Sequence, residues 1–264
     1  MGSDVKGKAV KEDPSNAPGY RQGPSPVRLA AVCAIAALLQ VPASRISAEA
    51  RAAVTTFEAD LLRVSSGSGG REEQSGRLSF DASEGRLVIE IAKPLHQWAV
   101  LKGNELLLYY PDSRQALRIT SKTPASMPFF GVVWNCFKED FGLAAQGYRM
   151  TRHEKKAQRL LSMWAPPASL ARLVGEAVLE HEGPRLIRVE HKTARGNMLS
   201  LALFSQHTTV AGAAFPLEVS IAYGSRQGVT QETVVFRNPR FNAPLSDGMK
   251  NFAVPAGVTI KDVQ

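Results

Sequence analysis

The sequence is poor in cysteine and aromatic residues and has no apolar run of membrane-spanning length, and each shortage excludes a class of protein. Two cysteines among 264 residues cannot build a disulfide-rich scaffold or a cysteine-ligated zinc finger. Aromatic residues make up 7% of the chain, but hydrophobic residues reach 44%, which is enough for a large core and excludes a wholly disordered chain. The formal net charge of +8 requires that nucleic acid be considered as a partner.

The amino-terminal region differs in composition from the rest of the chain. Residues 1–26 are rich in Lys, Pro, Gly and Ser and have no apolar period, which predicts a disordered leader. We hypothesise that translation starts at Val27, so that this leader is not translated. The apolar run over residues 29–41 would span about 20 Å as a helix, which is short of the roughly 30 Å hydrocarbon core of a membrane.

Residues 27–50 have the layout of a secretory signal peptide. A basic residue precedes the apolar run, and a breaker and an Ala-x-Ala site follow it, which predicts cleavage near Ala48 or Ala50. The alternative is an ordinary buried helix. Export leaves a single domain over residues 51–264, in which Cys136 is the one cysteine and no intramolecular disulfide can form.

Apolar residues at helical spacing predict an amphipathic helix at the start of this domain. They are Ala52, Ala53, Phe57, Leu61, Leu62 and Val64. The Ser/Gly run over residues 65–70 would end the helix and act as a flexible link. A second helix is predicted over Pro124–Gly142, where Phe130, Val133, Phe137 and Phe141 form one stripe.

Elsewhere the apolar period is two, which is typical of strands. Gly103-Asn104 predicts the turn of a hairpin. Seven further strands are predicted after the second helix: Tyr148–Lys155, Arg159–Ala165, Ala177–Glu182, Arg185–Lys192, Met198–Phe204, Leu217–Tyr223 and Thr230–Arg237. About ten strands with two helical interruptions indicate a mainly β (α+β) fold with a single strongly curved antiparallel sheet.

No motif for catalysis, a cofactor or a metal is found, so we predict a protein that is not an enzyme. The histidines, His96, His153, His181, His191 and His207, have no metal-binding spacing. His181 between two glutamates could suggest a metal site, but on a strand it would point away from both. Cys136 on an apolar helix suggests an inert buried thiol. The alternative, a hydrolase, would need one of the five histidines to lie close to Cys136 or to a serine in the fold.

A basic run extends over Arg149, Arg152, Lys155, Lys156 and Arg159. It has no interleaved aromatic residues, so we predict no nucleic-acid binding. The run is interpreted as a solvated face, with a patch for anionic lipid headgroups or an acidic partner as the alternative.

Five short motifs occur in a recognisable order along the domain. They are Ser75–Leu78, Lys93–Gln97, Leu101–Asn104, Leu108–Gln115 and Phe252–Val258. In order and spacing these motifs resemble the periplasmic outer-membrane lipoprotein carriers, the LolA-type family. One departure concerns the arginine that holds the family's lid shut, because the corresponding loop, Asp81–Gly85, has none and Arg86 falls just outside it.

This resemblance implies an unclosed β-barrel with helices as a lid over a hydrophobic cavity. It implies a periplasmic, monomeric carrier, without a cofactor, that shields the acyl chains of lipoproteins or lipids between an inner-membrane ABC exporter and an outer-membrane acceptor. The alternative is a periplasmic sensor or regulatory protein of the same fold with no cargo. A packed core is the default interpretation of any single apolar stripe, and the resemblance favours a cavity instead. The candidate cavity lining consists of apolar residues of the predicted sheet and lid. They are Leu78, Phe80, Leu87, Ile89, Ile91, Val100, Phe130, Val133, Trp134 and Phe137.

Overall fold

The computed structural model describes residues 54–120, 128–225 and 228–263, and fourteen strands in these ranges form one sheet. The strands are β1 (Thr56–Gly67), β2 (Gly70–Asp81), β3 (Arg86–Lys93), β4 (Gln97–Lys102), β5 (Glu105–Tyr110), β6 (Gln115–Thr120), β7 (Arg149–Lys156), β8 (Arg159–Ala165), β9 (Val174–Glu182), β10 (Arg185–Thr193), β11 (Met198–Val210), β12 (Ala213–Ser225), β13 (Gly228–Phe241) and β14 (Ile260–Val263). Two short helices, α1 (Pro128–Asn135) and α2 (Asp247–Lys250), and two 3-10 turns, Glu139–Gly142 and Ala144–Gln146, accompany them.

The strand order shows one curved, unclosed sheet, as expected. It runs β14-β6-β5-β4-β3-β2-β1-β13-β12-β11-β10-β9-β8-β7, so β1 and β13 join two runs of consecutive hairpins. Every pair is antiparallel except β14 with β6, which is parallel. Within the described ranges, β7 and β14 are the two edge strands and do not pair with each other. The predicted mainly β fold is therefore confirmed.

The amphipathic helix predicted at the start of the domain is wrong, because these residues form β1. Phe57, Ala59 and Leu61 are buried at a spacing of two, and the helical reading overlooked Ala59. Both edges of β1 are hydrogen-bonded, to β2 and to β13, and this pairing overrides the helical periodicity. Ala52 and Ala53 lie outside the described residues.

The turns between strands follow the glycine positions. Gly103-Asn104 forms the predicted hairpin between β4 and β5. The Ser/Gly run does not link a helix to a strand, because Gly67 pairs with Gly70 and residues 68–69 form a tight hairpin turn. Gly70 has a φ of 100°, a conformation that favours glycine.

The predicted second helix is shorter than expected. Residues 128–135 are α-helical, while residues 121–127 lie outside the described part of the chain. The helix then gives way to a turn and to 3-10 structure in which Asp140 and Phe141 have φ values of 47° and 55°. These left-handed residues break the α-helical hydrogen-bond pattern, and they let Phe141 and Leu143 return to the core.

The two faces of the sheet are covered differently. Helix α1 and the 3-10 turns lie against the inner face, whose apolar residues form one buried cluster. The chain after β13 crosses the outer face, where Glu58 accepts hydrogen bonds from the Ser246 amide (2.8 Å) and from Arg240 (2.7 Å). Burial acts to raise the pKa of Glu58, but these hydrogen bonds outweigh it and lower the pKa below its usual value.

The carboxy-terminal motif has a structural role on the same outer face. The Phe252 ring stacks on Trp98 of β4, with ring centroids 4.1 Å apart. Arg86 donates hydrogen bonds to the carbonyl oxygens of Lys250 and Phe252. Arg86 thus fastens the carboxy-terminal segment rather than a lid on the inner face.

The predicted leader, residues 1–26, and the predicted signal peptide, residues 27–50, lie outside the described residues. Among the helices of the described residues, none has the length and apolar character needed to cross a membrane.

Candidate functional site

Five of the candidate lining residues lie together on the inner face of β2 and β3. Leu78 pairs with Ile89, and Phe80 pairs with Leu87. Ile91 lies opposite Gly76, and all five side chains belong to the buried apolar cluster. The pleat brings them together because residues two apart in a strand share a face.

Val100 is not brought to this face. On β4, Ala99 and Leu101 belong to the inner cluster, so Val100 between them faces the other way. Its cross-strand partners on the outer face are Val88 and Leu107. The sequence did not show this because β4 is apolar on both faces.

The candidate residues of the predicted lid lie over the centre of the sheet. Phe137 stacks on Phe80, with ring centroids 4.2 Å apart and nearly parallel planes. Trp134 meets the same Phe80 ring edge-on at 5.7 Å. Val133 is fully buried, whereas Phe130 is partly buried against the cluster. Packing of α1 and the turn after it against the sheet therefore joins nine of the ten candidates.

An aromatic group that the sequence analysis missed completes this packing. Phe57 on β1 contacts Phe137 at 5.3 Å, Phe215 at 5.1 Å and Phe241 at 4.9 Å between ring centroids. Phe236 meets Phe57 edge-on at 5.6 Å. The prediction placed Phe57 on a helix. It began one strand at Leu217, after Phe215, and ended another at Arg237, before Phe241, so the shared face was not visible.

One polar cluster interrupts the apolar inner face. Arg63 of β1 binds Glu232 of β13 through two hydrogen bonds, of 3.0 and 2.6 Å, and donates a third to Gln74 at 2.7 Å. The Tyr223 hydroxyl donates to Glu232 at 2.7 Å. Burial, together with this hydrogen bond to the Glu232 carboxylate, raises the pKa of Tyr223 to about 12.

Helix α1 covers this polar cluster. The Arg63 guanidinium lies 4.4 Å from the centre of the Phe129 ring. The side chain of Glu232 is 1% exposed and that of Arg63 is 20% exposed, so the ion pair is largely removed from water. A guanidinium held by three hydrogen bonds offers a fixed cationic surface to the ring.

The described residues offer no metal centre. No group of three or more His, Cys, Asp or Glu side chains within residues 54–120, 128–225 and 228–263 could hold a metal ion. The glutamates beside His181 instead bind Arg159, at 2.8 Å from Glu180 and 3.9 Å from Glu182. Cys136 is buried in the apolar cluster.

Comparison with known proteins identifies the fold. No protein-family model and no curated protein matches the sequence. Among solved structures, a Vibrio parahaemolyticus domain assigned to outer membrane lipoprotein sorting is similar with a TM-score of 0.56 and 13% identity, over 77% of this chain and 93% of that one. A LolA superfamily protein from Nitrosomonas europaea gives 0.54 and 13%, over 77% and 95%. A DUF1329 family protein from Desulfovibrio piger gives 0.54 and 12%, over 74% and 89%.

These similarities confirm the LolA-like fold that the motifs indicated. The overlap covers 74 to 77% of this chain and 89 to 95% of the related structures, so the fold is shared over most of each. At 12 to 13% identity the likeness concerns the fold.

Proposed function

We propose that this protein is a non-enzymatic periplasmic carrier that holds acyl chains of lipoproteins or lipids against the inner face of its sheet. The observation that carries the proposal is a large, mostly apolar inner face covered, in the described residues, by the two-turn helix α1 and two 3-10 turns. The names of the similar structures, which include lipoprotein sorting, support the same theme.

The energy that such a carrier must supply can be sized. Each methylene withdrawn from water is worth about 0.8 kcal/mol, so a 16-carbon chain exposed to water costs on the order of 12 kcal/mol. A broad apolar surface can offset most of this cost without chemistry and still release the chain. Most of the inner face has this character, because the buried cluster on it is aliphatic and aromatic, with polar side chains at the Arg63 cluster and at His191 beside Phe141.

Helix α1 occupies the surface that an acyl chain would cover. It is held by the edge-on contact of Trp134 with Phe80 and by the contact of Phe129 with Arg63, and the stacking of Phe137 on Phe80 holds the turn that follows it. In this proposal the helix moves away when cargo binds, and the acyl chain then takes over the contacts that Trp134 and Phe137 make. The cost of losing those aromatic contacts offsets part of the cargo's binding energy and so favours release.

The proposed partners are those that the resemblance to the LolA-type carriers implies. An exported carrier would receive its cargo from an inner-membrane ABC exporter and give it to an outer-membrane acceptor, acting as a monomer. The absence of a cofactor requirement is part of the proposal, since burial of an acyl chain requires none.

Native mass spectrometry of the gently purified chain tests the proposal. Bound mass that dissociates as lipid or acylated peptide would support a carrier. An apo mass that stays unchanged after incubation with acylated peptides and phospholipids would contradict it, and would favour a sensor or regulatory protein of the same fold.

A matched pair of variants tests the role of helix α1. Phe129→Ala removes an aromatic contact between α1 and the inner face, and Phe252→Ala removes one from the outer face. We expect Phe129→Ala to speed uptake of a fluorescent acylated peptide and Phe252→Ala to leave it unchanged. Equal effects of the two variants, or equal binding of the same peptide without its acyl chain, would refute this route.

A further inference from the structure

One end of strands β7 to β11 carries apolar side chains that the fold leaves in water. Met150 is 54% exposed, Leu173 is 69% exposed and Met198 is 48% exposed. They are three of the seven large apolar side chains that are exposed in the described residues. Core formation does not account for them, because each projects from a strand end or a connecting loop.

Each of these side chains has an arginine close to it in the sequence. Arg149 precedes Met150, Arg172 precedes Leu173, and Arg195 lies three residues before Met198. We call these six residues the β7–β11 rim.

The strand register brings the rim residues to the same end of the sheet. Arg149, at the start of β7, pairs with Ala165, at the end of β8. Val174, which follows Leu173, pairs with Thr193, and Lys192 pairs with Met198. Five neighbouring strands spaced by about 4.8 Å make this rim roughly 19 Å wide.

The rim is cationic and lacks carboxylates. Its three segments, residues 147–152, 166–173 and 193–198, contain no Asp or Glu. Arg149, Arg172 and Arg195 form no ion pair within the part of the chain that the structure describes. Most basic residues elsewhere on these strands form ion pairs with glutamates, as Lys192 does with Glu176 at 3.0 Å.

We propose that the β7–β11 rim docks onto the surface of an anionic lipid bilayer. Arginines without carboxylate partners attract anionic headgroups, and neighbouring Leu and Met side chains can enter the interface between headgroups and acyl chains. If the rim were only a solvated basic face, the exposure of Met150, Leu173 and Met198 to water would have no explanation. An acidic protein partner would bind the arginines but offer no apolar surface to these three side chains. The inference is independent of acyl-chain binding on the inner face, because the rim is a separate exposed surface.

A site-specific label tests which residue meets the bilayer. The full chain with Cys33→Ser would carry Leu173→Cys with an environment-sensitive fluorophore, and a matched chain would carry Leu203→Cys, on the outer sheet face. Cys136 is buried and stays unlabelled in the folded chain. Vesicles containing phosphatidylglycerol should increase and blue-shift the emission at position 173 and leave position 203 unchanged. No change at position 173, or the same change at both positions, would overturn the proposal.

Removal of one positive charge tests the electrostatic part on the same labelled chain. Arg172→Gln should weaken partition onto anionic vesicles about fivefold, which is the effect of one basic side chain near such a surface. Lys156→Gln, at the far end of β7, serves as the control with the same change in net charge and should have a smaller effect. Equal loss in both variants, or equal binding to pure phosphatidylcholine vesicles, would refute the assignment. Binding to polyglutamate without binding to vesicles would replace the bilayer by an acidic protein.

Discussion

Replacing Glu232 by leucine should destabilise the protein far more than a typical surface substitution. The change leaves the Arg63 guanidinium without its carboxylate, beneath Phe129, and leaves the Tyr223 hydroxyl without its acceptor. Removing one partner of a buried ion pair costs about 3 to 5 kcal/mol. Because Arg63 keeps its hydrogen bond to Gln74 and is 20% exposed, we expect the lower end of this range, about 3 kcal/mol.

The double replacement Arg63→Met with Glu232→Leu should restore most of this loss. Replacing a buried pair by apolar side chains of similar volume is often neutral. The double variant still loses the contact of the Arg63 guanidinium with Phe129, which is worth about 1 kcal/mol in a largely buried setting. It also leaves the Tyr223 hydroxyl without its acceptor, which costs about 1 kcal/mol more. We therefore expect the double variant to lie within roughly 2 kcal/mol of the unaltered chain.

Urea unfolding of the four chains, followed by far-ultraviolet circular dichroism, measures this cycle. The coupling energy between the two positions should exceed about 2 kcal/mol. Simple additivity of the two single losses, or a loss below about 1 kcal/mol for Glu232→Leu, would show that water solvates the pair and that it does not support helix α1.

Three further results are expected. Burial lowers the pKa of His191 to about 4, so as the pH falls the unfolded chain takes up this proton before the folded chain does. The free energy of unfolding should therefore fall by about 1.4 kcal/mol for each pH unit as the pH is lowered from 6.5 to 4. Denaturant titrations should show that His191→Phe removes this dependence, and an unchanged slope would contradict it. The pKa of Tyr223 is raised to about 12 in the folded chain, so its contribution to the free energy of unfolding is present below pH 10 and lost between pH 10 and 12. Tyr223→Phe should abolish that loss, and an equal decline in stability of both chains over this pH range would refute it. A Cβ on Gly76 would lie 1.8 Å from the Glu90 carbonyl oxygen, so Gly76→Ala should lower the melting temperature by several degrees, whereas Gly224→Ala, which meets no atom within 4 Å, should not.

The strands were predictable wherever a single face is apolar. Alternation placed Leu78, Phe80, Leu87, Ile89 and Ile91 on one face, and the structure brings them together there. The same rule failed for Val100, because the neighbouring Trp98 makes β4 apolar on both faces and leaves the choice of inner face open. There the carboxy-terminal segment decides, since Phe252 covers the outer side of β4.

Local periodicity also could not distinguish a helix from a strand over residues 56–67. Apolar residues in this stretch satisfy both spacings, so the outcome depends on hydrogen bonds to β2 and β13. Most of the partners in β13 are about 170 residues away in the sequence, and no local pattern encodes such a pairing.

The sequence by itself determined the mainly β character, several hairpin turns and the order of motifs that indicates a LolA-like fold, because these depend on residues that are neighbours in the chain. The tertiary structure alone decided which apolar residues share the inner face and how helix α1 is held over it. Arg63, Glu232 and Phe129 lie on β1, β13 and α1, and Arg63 and Glu232 are 169 positions apart in the sequence. Their contact exists only because β1 pairs with β13 and the chain returns α1 over both strands.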